Sequence, residues 1–120
     1  MANKIKNELA KRKIINLIRQ SNRKRNCLIF HSNETYSHKR LKFETFIELQ
    51  KLGYEIYTEA IFLSGKRCDI LGIKEGYAIG IEILSSETDE MLSKKLLNYP
   101  KEINWYSIRT LKDLKNLNLL

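Results

Sequence analysis

Residues 65–84, GKRCDILGIKEGYAIGIEIL, decide how this chain is read. Apolar residues on both sides of Lys74-Glu75-Gly76-Tyr77 predict two short strands, 67–74 and 77–84, joined by a tight turn. Each strand carries one acid where an apolar residue is expected. Asp69 interrupts Cys68, Ile70, Leu71 and Ile73, and Glu82 sits between Ile81 and Ile83. A carboxylate in a nearly continuous apolar strand is costly to bury unless a cation, a metal or hydrogen bonds compensate it. Two of them at the inner ends of adjacent strands point to a divalent-metal site. The plainer alternative is a pair of acids neutralised by Arg67, Lys66 or Lys94.

Upstream, 54–63 reads as another strand, and Ser64-Gly65-Lys66 turns it into 67–74 as a hairpin. That turn sets Ile61 opposite Asp69 and points Glu59 to the same face. Glu59 is then an additional metal ligand or an edge-strand charge. In the third strand Ala78, Gly80, Glu82 and Leu84 share one face, whose small residues leave room for a helix, a metal or a nucleic-acid strand. A helix over 38–52, capped by Ser37 and stopped at Gly53, presents Leu41, Phe46, Leu49 and Leu52 as its apolar face. Glu44 on that helix either reaches toward the strand carboxylates or pairs with Arg40 or Lys51 in solvent. His38 is either a hydrogen-bonded structural residue or part of the site.

Downstream, Ser86-x-x-Asp89 reads as a capping box for a helix over 87–98, ended by Asn98-Tyr99-Pro100. A strand follows over 103–108. Thr110-x-x-Asp113 then caps a last short helix carrying Leu114, Leu117, Leu119 and Leu120. A helix crossing between the third and fourth strands requires a parallel pair, so the fold class is α/β with a mixed four-stranded sheet. Tyr99, Trp105 and Tyr106 can stack on bases, with core packing the plainer role for Trp105.

At 120 residues, 42% hydrophobic and 30% charged, the chain fits one soluble globular domain. No apolar run approaches ~20 residues, and the basic N-terminus lacks the apolar segment of a secretory signal. A cytoplasmic location is expected, with Cys27 and Cys68 reduced. Residues 1–26 hold nine Lys and Arg against the single acid Glu8, whereas 27–120 hold 13 basic and 13 acidic residues. The whole net charge of +8 thus lies in the first quarter of the chain. That asymmetry divides the chain into a basic arm, 1–26, and a neutral domain, 27–120. Within the arm, 3–20 predicts a basic helix with a partial apolar stripe. The arm is read as a DNA-binding element through Lys4, Lys11, Arg12, Lys13, Arg19, Arg23, Lys24 and Arg25. The alternatives are a solvated helix packed by its apolar stripe and a membrane-surface helix.

These elements together resemble the PD-(D/E)xK nuclease superfamily over roughly residues 37–108. The resemblance rests on a helix acid (Glu44 in KRLKFETFIELQ), an aspartate in the second strand (Asp69 in RCDIL) and Glu82-Ile83-Leu84 in place of Glu-x-Lys. Ser85-Ser86, Lys94, Lys95 and Tyr99-Pro100 add to it. It implies a restriction-endonuclease-like αβββαβ core and metal-dependent endonuclease activity on DNA, branched or junction forms included, by a homodimer. Asp69, Glu82 and the Ile83 carbonyl would hold Mg²⁺ or Mn²⁺, with Glu44 or Glu59 completing the shell through water. Leu84 stands where the family has its catalytic lysine. Lys94, Lys95, Lys66, Arg67 and His38 are the candidate substitutes, and a nuclease-fold module that binds DNA without efficient cutting is the alternative. No glycine-rich phosphate loop, nucleophile elbow, zinc spacing or dinucleotide fingerprint occurs.

Overall fold

The computed structural model describes residues 2–119. Leu120, expected in the last helical segment, lies outside them. The described chain runs α1 (Ala2–Ile15), α2 (Tyr36–Lys51), β1 (Glu55–Ile61), β2 (Arg67–Lys74), β3 (Tyr77–Ile83), α3 (Asp89–Leu96), β4 (Asn104–Ile108) and α4 (Leu111–Asn116). The strands form one sheet in the order β1-β2-β3-β4. β1–β2 and β2–β3 are antiparallel and β3–β4 is parallel, as the α3 crossover requires.

Side-chain alternation divides the sheet between two apolar layers. On one face Tyr57, Phe62, Cys68, Leu71, Ile73 and Ala78 pack with Ile14 and Ile18 from the N-terminal segment and with Tyr99 and Ile103. On the other, Ile56, Ile70, Ile79, Ile81 and Ile83 pack against Leu41, Phe46 and Leu49 of α2 and Leu114 of α4. The β2–β3 turn holds Glu75 at φ 51° and Gly76 at φ 80°, the left-handed pair that a two-residue hairpin needs.

The structure departs from several sequence expectations for local reasons. α1 ends at Ile15 rather than 20, because the backbone beyond it pairs with the end of β1: Leu63 donates to the Leu17 carbonyl and Arg19 to that of Ile61. Ile14 and Ile18 are thereby buried. The cap of α2 is Thr35 and not Ser37; its hydroxyl accepts the His38 N–H at 3.2 Å. Thr88, not Ser86, caps α3, because the Ser85 N–H is turned onto the Glu87 carboxylate at 2.8 Å. At α4 the Thr110/Asp113 capping box forms as expected.

Two corrections bear on the site. The β1–β2 turn uses Leu63, Ser64 and Gly65, with Phe62 N–H bonded to the Lys66 carbonyl at 2.7 Å. Ile61 therefore pairs with Arg67, and the ladder skips from Thr58↔Ile70 to Ala60↔Cys68, so Glu59 and not Ile61 lies level with Asp69. The space over Gly80 is filled: the Trp105 ring lies where a Cβ would stand. That ring meets Tyr99 edge-on with centroids 4.7 Å apart.

Gly80→Ala should lower the melting temperature by the equivalent of about 1–3 kcal/mol, as overpacking does. Trp105→Leu in the same chain should recover part of that loss; thermal unfolding of the two variants measures both.

Candidate functional site

The site forms where two strands break step. Glu59, at φ 51°, lies in the left-handed region that a non-glycine residue rarely adopts. Tyr57 and Ala60 consequently face the same layer, and so do Cys68 and Leu71 across from them. The β2–β3 ladder stops at Ile70↔Ile81, and carboxylates take over as acceptors beyond it. Asp69 Oδ2 accepts the Ile83 N–H at 2.8 Å, and Glu82 Oε2 accepts the Asp69 N–H at 3.2 Å. The two acids expected to act together are brought together.

Around them lies a polar cavity of about 300 Å³ lined by His31, Asn33, Glu34, His38, Glu59, Arg67, Asp69, Ile83, Glu87 and Lys95. Glu82, 1% exposed, is buried behind it. Its Oε1 is 2.6 Å from the Tyr99 hydroxyl and 3.3 Å from Lys95 Nζ. The same hydroxyl is 2.6 Å from the Arg67 carbonyl, so its single proton serves one of the two acceptors at a time. Lys95, at the end of α3, also lies over the Tyr99 ring, 5.8 Å from its centroid. Lys94 points elsewhere, to Glu90 at 3.7 Å. Leu84 is buried, its N–H bonded to the Ile108 carbonyl.

α2 contributes two cations on its buried stripe. Lys42 is fully buried, with Nζ 2.5 Å from Glu59 Oε1, 2.7 Å from Glu34 Oε1 and 3.0 Å from the Ile29 carbonyl. One turn earlier His38 places Nδ1 2.6 Å from Glu34 Oε2 and Nε2 3.8 Å from Asp69 Oδ1. Arg67 closes the rim, with Nε 3.0 Å from Glu59 Oε2 and a terminal nitrogen 2.6 Å from His31 Nε2. Glu44 is not brought to this cluster; it lines a separate cleft with Glu48, Leu111, Leu114 and Lys115.

Sequence reasoning missed Glu34, His31 and Lys42. A signal for Lys42 was present: His38, Lys42, Thr45 and Leu49 fall at helical spacing, so a cation interrupts the buried stripe. Of the basic N-terminal residues, Lys11 and Arg25 hold Glu55 at 2.7 and 3.6 Å, and Arg23 donates to the Ile18 carbonyl. Lys4, Arg12, Lys13, Arg19 and Lys24 are exposed, as is Lys66 beside the β1–β2 turn.

Burial and the neighbouring Asp69 charge push the Glu82 carboxyl up to about 7, against the pull of Lys95 and Tyr99. The adjacent Asp69 carboxylate, with Glu34, raises His38 to about 9 in spite of burial. Burial also works against ionisation of Asp69, but His38 and the Ile83 N–H hold its carboxyl below the ordinary range. Against the same cost of burial, Lys42, the His31 N–H and His38 hold Glu34 down to about 2.

Among the described residues, no group of three or more His, Cys, Asp and Glu side chains is arranged to hold a metal ion. The donor set does fit the sparser site of a hard cation, which takes one or two carboxylates and completes its shell with water. Asp69 lines the cavity, with His38 Nε2 3.8 Å from its Oδ1. No family model, no curated protein and no solved structure matches this chain, so the site is assigned from its own geometry.

Two outcomes follow from the buried charges. Lys42→Met removes the buried cation that Glu34 and Glu59 share, leaving them only the more exposed His38 and Arg67, and should destabilise the fold by about 3–5 kcal/mol in denaturant unfolding. The raised groups bind protons on folding, so their stabilisation is complete below the ordinary values, 4.5 for Glu82 and 6.5 for His38, and is lost as pH rises through about 7 and about 9. Stability measured from pH 5 to 10 should fall along both steps, with Glu82→Gln flattening the first and His38→Gln the second.

Proposed function

We propose that this chain is a metal-dependent endonuclease of the PD-(D/E)xK type, hydrolysing phosphodiester bonds in DNA. The observation that carries the reading is Lys95 Nζ, 3.3 Å from Glu82 Oε1, while Leu84 occupies the lysine place of Glu-x-Lys. A cation has been supplied from the following helix to the acid that lacks one beside it in sequence. The helix–strand–strand–strand–helix–strand order and the mixed sheet are compatible with the restriction-endonuclease-like core that this reading requires.

Asp69, the Ile83 carbonyl and, through water, Glu82 and Glu59 would hold Mg²⁺ or Mn²⁺. The bound ion supplies charge neutralisation at the phosphate and a more acidic water. The protein's own contribution is positional. Asp69 is oriented by the Ile83 N–H, and Glu82 by the Asp69 N–H and the Tyr99 hydroxyl. Lys95, 45% exposed, can meet both Glu82 and an incoming phosphate, offsetting charge as the pentavalent transition state forms. Arg67 on the opposite rim offers a second cation to the same phosphate. A second copy of the chain would provide the cut on the other strand, and the exposed cations of α1 would hold the backbone of a long substrate.

A second reading is a module of the same fold that binds DNA without cutting it. It is favoured by the charge balance: Glu34, Glu59, Asp69 and Glu82 already face Lys42, Arg67, Lys95 and His38.

Plasmid cleavage with Mg²⁺ or Mn²⁺, measured beside calorimetric metal binding, separates the readings. Asp69→Asn should abolish both. Lys95→Ala should retain metal binding and lower the cleavage rate about 10²- to 10³-fold, while Lys94→Ala cuts normally. Absence of metal-dependent cleavage by the unaltered chain, with DNA binding intact, would establish the second reading.

A further inference from the structure

A second cleft lies at the first turns of α2. It measures about 190 Å³ and is lined by Tyr36, Ser37, Arg40, Leu41, Arg109, Thr110 and Leu111. Two features set it apart. Tyr36 is 77% exposed at the first position of α2, so most of a large flat ring stands in water. Every charge on the lining is positive, with Arg40 one helical turn beyond Tyr36 on the same side.

The linings of the cleft and of the carboxylate cavity are linked through the chain in two ways. Ser37 lines one and His38 the other, as consecutive residues of α2. Arg109 lines the cleft and donates to the carbonyls of Ser85 and Glu87, and Glu87 lines the carboxylate cavity. Arg109 also lies 3.5 Å from Asp89. It is therefore fixed in place, with part of its five-donor fork engaged by the chain.

We propose that this cleft seats one unpaired nucleotide next to the bond that is cut, with its base stacked on Tyr36 and its phosphate between Arg40 and Arg109. A π-face stacks on any base, and a guanidinium meets a phosphate oxygen pairwise. A base inside an intact duplex has both faces covered by its neighbours, so the exposed Tyr36 ring suits a single strand, a flap or a splayed end. The inference rests on the nuclease reading for its place beside Asp69, and it names the form of substrate that reading leaves open.

The test is fluorescence anisotropy in EDTA, which prevents cutting, with labelled oligothymidylate and with a blunt duplex of the same length. Tyr36→Ala should weaken binding of the single strand about 5- to 150-fold and leave duplex affinity unchanged, and Tyr36→Phe should bind as the unaltered chain does. Arg40→Ala should weaken the single strand and reduce the salt slope of its binding by about one. Because Tyr36 is exposed, an unchanged melting temperature in each variant shows that the fold is intact. Equal losses on both forms, no loss on either, or failure of the unaltered chain to bind oligothymidylate overturns the seat. Plasmid cleavage lost in Asp69→Asn but present in Tyr36→Ala, together with any of those outcomes, would remove the seat and leave the nuclease reading standing.

Discussion

The arrangement depends on one buried ammonium. Lys42 has no exposed surface, and its three partners come from the loop before α2 and from β1. An amine so placed is tolerated because two carboxylates and a carbonyl replace its water. In return it fixes Glu59 at the left-handed residue where β1 loses step, and Glu34 at the place from which it orients His38. Asp69 meets His38, and Glu82 meets Asp69, through that same chain of contacts. Cutting the network at Lys42 takes from two buried acids the cation they share and leaves only His38 and Arg67 beside them, which is why the site and the stability of the fold share a residue.

The carboxylates then differ in character although they sit side by side. Asp69 is kept ionised by the imidazolium and a backbone N–H, whereas Glu82 is driven toward its neutral form by burial and by Asp69 itself. A pair of acids pushed apart in this way is common where one holds a charge and the other manages a proton. Lys95, reaching in from α3, pulls Glu82 back toward its ionised form against that burial.

Much of the fold was legible because its signals are local. Alternation and the Glu75-Gly76 turn place β2 and β3, and Thr110 with Asp113 places the start of α4. What failed was one step less local. A turn that takes Leu63 and releases Lys66 shifts the register of β1, so the sequence put Ile61 where Glu59 lies. Thr35 and Thr88 cap where Ser37 and Ser86 were expected, since the choice among neighbouring hydroxyls depends on the path of the loop before them. The buried role of Lys42 could not be read from α2 alone, because Glu34 and Glu59 lie outside that helix. Lys94 and Lys95 are adjacent, yet one residue turns roughly 100° around a helix, and only the packing of α3 selects between them.

The loop before α2 has a consequence at the rim of the sheet. Asn26 exchanges bonds with Ile56, its N–H to the carbonyl and its side-chain oxygen from the N–H, and Thr58 bridges Cys27 and Ile29. The outer margin of β1 is therefore already occupied by irregular chain. β4, by contrast, closes the strand order with the uncharged run NWYSI. Extension by strand addition is thus one-sided. A further strand adding to this sheet would find only the β4 side without such a bridged segment among the described residues.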